Sequence, residues 1–196
     1  MLWRMILSDE PCVVEKDVLI TAEEIAAAVA DLGRELSELY RGQTLVVIPL
    51  LKGGFMFASD LVRCLDLQLQ IEFLGAASYG DATATSGEVQ LTQDTTLPLA
   101  GRHVLLVEDI VDTGLTLAYI QKLITSRKPA SLRTVVLLDK RVARRHAVAM
   151  IYRALFEIPD RFVFGYGLDS PGGFHRNLPD VVAVRDTCPE GEEGDQ

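Results

Sequence analysis

Three cysteines, Cys12, Cys64 and Cys188, are all this chain contains, and no two of them form a C-x-x-C pair. That scatter argues against a disulfide framework and a thiolate zinc centre, and it fits a reducing compartment. Histidine is as scarce: His103, His146 and His175 lack metal-ligand spacing and are assigned no chemistry. No apolar run approaches a membrane span, and Met1 to Leu7 is too short for a signal core followed by a cleavage site, so the expected location is cytoplasmic. A basic excess is missing too. With 19 Lys and Arg against 28 Asp and Glu, the net charge is −9, which argues against a general nucleic-acid binder. There is no internal repeat and no low-complexity stretch before the acidic end, residues 188–196, which is expected to be a solvated, disordered tail. What remains, 196 residues of which 48% are hydrophobic, predicts one soluble domain over residues 1–187.

The richest stretch runs from Val104 to Leu117. Val104-Leu105-Leu106-Val107 reads as a strand buried on both faces, ending at the carboxylates Glu108 and Asp109. Asp112-Thr113-Gly114-Leu115-Thr116 then forms a turn that runs into a helical pattern of Leu117, Ile120, Leu123 and Ile124. Strand, glycine turn and helix make an anion site, because the first N–H groups of a helix lack partners and carry the positive end of its dipole. Acids beside such a cradle repel a phosphate unless a cation or sugar hydroxyls stand between them. The pattern therefore points to a phosphorylated sugar with Mg²⁺.

Elsewhere the chain alternates strand and helix. Thr21 and Glu24 form a capping box before Ile25, Val29, Leu32, Leu36 and Leu39, predicting a helix over Ala22 to Tyr40. Thr44 to Leu50 reads as a central strand, followed by the turn Leu51-Lys52-Gly53-Gly54 and a helix from Phe55 to Cys64. Taken alone, a Lys-Gly-Gly turn more often only connects elements. Strands are predicted over Gln68 to Ser78, around Val89 to Leu91, and over Ser131 to Leu138, the last ending at Asp139-Lys140. The small, polar segment 78–88 reads as a plain hairpin loop or as a lid that excludes water. Arg141 to Arg145 is a basic run, read as a solvated face.

Glu108-Asp109-Ile110-Val111-Asp112-Thr113-Gly114-Leu115-Thr116 resembles the phosphoribosyl pyrophosphate (PRPP) signature of type I phosphoribosyltransferases, in its hypoxanthine-guanine form. Leu51-Lys52-Gly53-Gly54 matches that family's pyrophosphate turn, and Glu157 to Asp169 matches its purine-binding strand. The resemblance spans most of residues 45 to 180. It implies an α/β fold with a mainly parallel central sheet flanked by helices, a small hood, and a mobile lid beginning at Ser78-Tyr79. It implies transfer of a 5-phosphoribosyl group from PRPP to N9 of hypoxanthine or guanine, giving IMP or GMP and pyrophosphate. Glu108 and Asp109 would bind the ribose hydroxyls, and Asp112 to Thr116 the 5′-phosphate, with Asp112 as general acid/base. Lys52, Gly53 and Arg176 would hold pyrophosphate. Lys140 would donate to the purine O6, Phe162 would stack on the base, and Val163 would meet its edge. Asp169, beside the base, would hold a second Mg²⁺, the first lying at Glu108 and Asp109. Partners would be PRPP, a 6-oxopurine and further copies of the chain, as a homodimer or homotetramer, with no nucleic acid and no membrane. One departure stands out: Ser170-Pro171-Gly172-Gly173 replaces the aromatic and polar residues usual before the arginine, and the segment is about one residue longer.

Three other readings are weighed against this. A xanthine-preferring transferase is the alternative within the enzyme class, since all 6-oxopurines share O6 and N7. An RNA- or nucleotide-binding regulator of the same fold would commonly carry Tyr at position 112 and a basic face. An aspartic protease is suggested by Asp112-Thr113-Gly114, but that chemistry needs an all-β lobe and a partner carboxylate.

Overall fold

A computed structural model describes residues 16–79 and 88–184. The turn expected at Pro11, the lid residues 80–87, Cys12, Cys188 and the acidic tail 188–196 lie outside the described residues. The elements run β1 (Lys16–Ile20), α1 (Ala22–Leu39), β2 (Leu45–Leu51), α2 (Phe55–Arg63), β3 (Leu69–Ile71), β4 (Leu74–Tyr79) and β5 (Glu88–Gln93). They continue with β6 (His103–Val111), α3 (Leu115–Ser126), β7 (Ser131–Asp139), β8 (Ile151–Glu157), β9 (Val163–Phe164) and β10 (Val181–Val184).

Two sheets result. In the larger, β4, β2, β6, β7 and β8 lie side by side and parallel, with β5 antiparallel at the β4 edge and β3 pairing the start of β2. The smaller is an antiparallel hood of order β1-β10-β9. The central strands are buried on both sides because helices cover both faces. Leu45, Val47, Leu105 and Val107 point towards α1, α2 and the hood. Val46, Ile48, Val104 and Leu106 point towards Leu117, Ile120 and Ile124 of α3. That two-sided burial turns the sequence into continuous apolar runs where a half-exposed strand would alternate.

Local signals hold at the helix starts. Thr21 Oγ1 accepts from the Glu24 N–H at 3.2 Å and Glu24 Oε2 accepts from the Thr21 N–H at 2.8 Å, the reciprocal box expected. Leu39, expected in the buried stripe, is exposed, and Tyr40 is buried in its place. Three strand boundaries differ from expectation. β6 runs on to Val111, so Glu108 and Asp109 lie within the strand, where ladder bonds to β7 extend past the apolar run. The single strand expected over Gln68 to Ser78 breaks at Glu72-Phe73 into β3 and β4, which pair successive parts of β2. Glu157 to Asp169 is not one strand: Glu157 ends β8 in the main sheet, and Val163-Phe164 belong to the hood. No helix among the described residues is long and apolar enough to cross a membrane.

Candidate active site

Parallel strands deliver their carboxyl ends to one edge, and the polar turns that follow them collect there. After β2 comes Lys52-Gly53-Gly54, after β6 Asp112 to Gly114, and after β7 Lys140. Lys52, Gly53, Glu108, Asp109, Thr116, Asp169 and Arg176 line one open cleft of about 180 Å³. A larger groove of about 390 Å³, lined by Ser37, Arg41, Gln43 and Asp66, lies at the opposite, amino end of β2 and holds none of these groups. Gly53 packs so closely on Asp109 that a β-carbon there would overlap the carboxylate Oδ2. The lysine turn and the acid are therefore a single surface.

The two acids of β6 are costly to ionise as they stand. Glu108 is buried, with Oε2 lacking a hydrogen-bond partner among the described residues, and burial followed by the Asp109 charge pushes its carboxyl well above the usual range. Burial likewise lifts Asp109 to about 6, despite its hydrogen bond from the Ile110 N–H at 2.9 Å and the nearby Arg176 charge. An orphaned acceptor and a pair of acids that resist ionisation are what a cation or hydroxyl donors would satisfy. Among the described residues no three His, Cys, Asp or Glu side chains converge on one metal position. A cation here would take one or two carboxylates and complete its shell from ligand oxygens, which suits Mg²⁺.

The candidate anion cradle begins at Gly114, which has φ +84° and heads α3 without a side-chain cap. Asp112 and Thr113 are exposed, Leu115 and Thr116 half-buried, and only a weak contact from Thr113 Oγ1, 3.4 Å from the Leu115 N–H, touches the first turn. Free N–H groups at the start of a twelve-residue helix favour a phosphate there.

Lys140 is only 7% exposed, and its Nζ stands 3.9 Å from Asp112 and 3.8 Å from Asp160. The Lys140 N–H donates to the Val111 carbonyl at 2.9 Å, tying the end of β7 to the end of β6. Asp160 brings the hood to the same edge, for it precedes the half-exposed Phe162 and the buried Val163 by only two and three residues. Asp160 lies within the Glu157 to Asp169 segment and belongs to no chemical motif, so its contact with Lys140 is legible only in space.

The departure after Asp169 closes on itself. Pro171–Gly173 forms a 3-10 turn, the Ser170 N–H donates to the Phe174 carbonyl at 3.0 Å, and the extra length is absorbed in a tight loop with Phe174 exposed. Arg176 still reaches the cleft, pairing with Asp169 at 2.8 Å and donating to the Gly167 carbonyl at 2.6 Å. Gly167, at φ +100°, lies against the Gly53 carbonyl, and the neighbouring Tyr166 hydroxyl donates to Asp60 of α2 at 2.7 Å. Burial, and then Asp60, push that phenol far up, so it stays a donor. Sequence reasoning missed the Tyr166–Asp60 tie, since neither residue belongs to a chemical motif. Ser78 and Tyr79 end β4 at the same edge.

Within the basic run, the structure corrects the reading of a solvated face at Arg144. Arg144 is not solvated: its side chain is 22% exposed and pairs with the buried Asp139. Arg141 and Arg145 stay exposed, as expected of a solvated face, and Arg144 turns inward because the end of β7 buries a carboxylate that needs a partner.

Known proteins resemble this chain over most of its length. The phosphoribosyl transferase domain family matches residues 18–171. A hypoxanthine-guanine phosphoribosyltransferase of Mycobacterium avium is 46% identical over 160 residues, covering 79% of this chain and 78% of that protein. One from Bacillus subtilis is 42% identical over 172 residues, covering 88% and 94%. A hypoxanthine phosphoribosyltransferase structure from Trypanosoma cruzi, described as a ternary substrates complex, superposes with a TM-score of 0.80 at 41% identity, covering 88% of this chain and 96% of that one.

Proposed function

The chain belongs to the phosphoribosyltransferase family, in its hypoxanthine-guanine branch, and from that premise we propose how its residues divide the work. The protein is a purine-salvage enzyme that transfers the 5-phosphoribosyl group of PRPP to N9 of a 6-oxopurine, releasing pyrophosphate. As N9 attacks C1 of the ribose, the C1–oxygen bond to pyrophosphate breaks, and the bonding electron pair leaves with pyrophosphate. Asp112 takes the proton from purine N7, a role typically worth 10²- to 10⁴-fold in rate. The first turn of α3 and the hydroxyls of Thr113 and Thr116 hold the 5′-phosphate. Glu108 and Asp109 bind the ribose hydroxyls, and Lys52, the Gly53 backbone and Arg176 hold pyrophosphate.

Mg²⁺ would be held by Glu108 and Asp109, with a second ion at Asp169 beside the base, and would supply positive charge to neutralise the departing pyrophosphate. Lys140 donates to O6 while Phe162 stacks on the ring and Val163 meets its edge through the main chain. Adenine presents an amino group where O6 would be, which would leave the buried ammonium facing another donor. Ser78 and Tyr79 open the lid that keeps water from C1. In our reading the enzyme is cytoplasmic and works as a homodimer or homotetramer.

The observation that carries this reading is the contact of Lys140 with Asp112 beside the cleft that holds Lys52, Glu108 and Asp109. That contact supports reading Lys140 as the O6 donor and Asp112 as the N7 acceptor at one purine edge. The test is to incubate the purified protein with PRPP, Mg²⁺ and each nucleobase in turn and to measure nucleotide. Turnover of hypoxanthine and guanine but not adenine is expected. No product with any 6-oxopurine would remove the reading.

A further inference from the structure

We propose that residues 141–146, anchored by the Asp139–Arg144 ion pair, form a strap that sets the direction of a backbone N–H in the phosphate cradle, making Asp139 and Arg144 positioning residues for PRPP. The inference rests on the proposed function of that cradle and extends it to residues that touch no substrate.

One carbonyl ties the strap to the cradle. Thr113 O accepts two hydrogen bonds, from the Arg145 N–H at 3.0 Å and from the His146 N–H at 2.9 Å. A trans peptide is planar, with its C=O and N–H pointing in opposite directions. Drawing Thr113 O towards the strap therefore aims the Gly114 N–H away from it. Among the described residues that N–H has no backbone acceptor, as a cradle donor requires. The strap also seats itself on the glycine: a β-carbon at Gly114 would come within 2.8 Å of the His146 carbonyl and of Val148 Cγ2. The turn thus has room for glycine alone and is held from one side.

What holds the strap is buried. Asp139 is 4% exposed and pairs with both Arg141 and Arg144. Arg144 is the more enclosed of the two, with 22% of its side chain exposed against 68% for Arg141, and its Nε is buried without a partner among the described residues. A guanidinium drawn inward at that cost fixes the chain immediately before Arg145 and His146. A solvated basic face would need none of this. The Ala143 N–H donates to the Lys140 carbonyl at 3.1 Å, so the strap starts from the residue that reads the purine and ends on the loop that holds the phosphate.

Kinetics of Arg144→Met and His146→Pro, with thermal melting of each, test the proposal. Arg144→Met removes the anchor. His146→Pro, at an exposed position, deletes one of the two donors to Thr113 O and leaves the ion pair in place. Each is expected to raise KM for PRPP, by about ten- to a hundredfold for the loss of one charge-assisted hydrogen bond. Arg144→Lys, which keeps the charge, is expected to recover most of that loss, and KM for hypoxanthine should stay within about threefold, below the cost of one ordinary hydrogen bond. If Arg144→Met does not fold, His146→Pro alone decides. An unchanged KM for PRPP in a folded variant, or a parallel rise in both KM values, overturns the strap while leaving the transferase reading intact. Wild-type protein that makes no nucleotide from any 6-oxopurine overturns both.

Discussion

Lys140 Nζ lies 3.9 Å from a carboxylate oxygen of Asp112, across the ends of two neighbouring parallel strands. In the proposed reading these two groups are the donor for O6 and the acceptor for N7 of one purine. Lys140→Met is expected to raise KM for hypoxanthine by about ten- to a hundredfold, the range for a hydrogen bond to a charged group, with KM for PRPP little changed. Steady-state kinetics with each substrate varied separately checks this, and an equal rise in both KM values would count against the assignment.

Asp112 itself is expected to act on rate. Asp112→Asn keeps the shape and can still meet N7, but it cannot take a proton. Its kcat should fall by about 10²- to 10⁴-fold while PRPP still binds. Calorimetric titration of the variant with Mg²⁺ and PRPP reads the second half of that statement, and lost PRPP binding would make Asp112 a structural residue.

Adjacent glycines should fail in different ways. A methyl group at Gly53 meets the Asp109 carboxylate, whereas one at Gly54 meets backbone, 2.8 Å from the Leu50 carbonyl and 2.9 Å from that of Val107. Gly53→Ala is expected to displace Asp109 and abolish most activity with little loss of stability. Gly54→Ala should cost about 1–3 kcal/mol of stability, because backbone in two central strands cannot give way. Urea melts and turnover of both variants, side by side, separate these outcomes.

The raised value at Asp109 gives a pH dependence with a definite sign. Its folded value of about 6 exceeds the ordinary 3.8, so the fold favours the protonated acid. The stability it contributes is fully present below about pH 4 and is lost as pH rises through about 6. Asp109→Asn, which cannot ionise, should therefore be more stable than the unliganded wild type at pH 8, with the gain vanishing near pH 4. Bound Mg²⁺ with PRPP should reverse the order at pH 8, since only the wild type supplies the charge. Denaturation midpoints at both pH values check this, and a gain that does not change with pH would sink it.

Much of the architecture was legible in the chain. The capping box at Thr21 and Glu24, the apolar runs of β2, β6 and β7, and the glycine turn at Gly114 are local features, set by propensity and by burial on two faces, and they appear in the structure where the pattern places them. Boundaries that depend on pairing were not legible. β6 continues through two acids because β7 offers ladder partners as far as Asp139, and no property of Glu108 or Asp109 announces that.

The candidate site divides along the same line. Residue types determined its chemistry: two acids, a phosphate turn and lysines at strand ends are readable one after another along the chain. Tertiary structure alone decided which of them meet. Asp160 comes to Lys140, Tyr166 to Asp60, and Arg144 to Asp139 because the hood and the basic run fold back over the carboxyl edge. Such contacts join charged or polar groups on separate elements, and their strength comes from burial and distance, quantities that exist only once the sheet has brought its strand ends together.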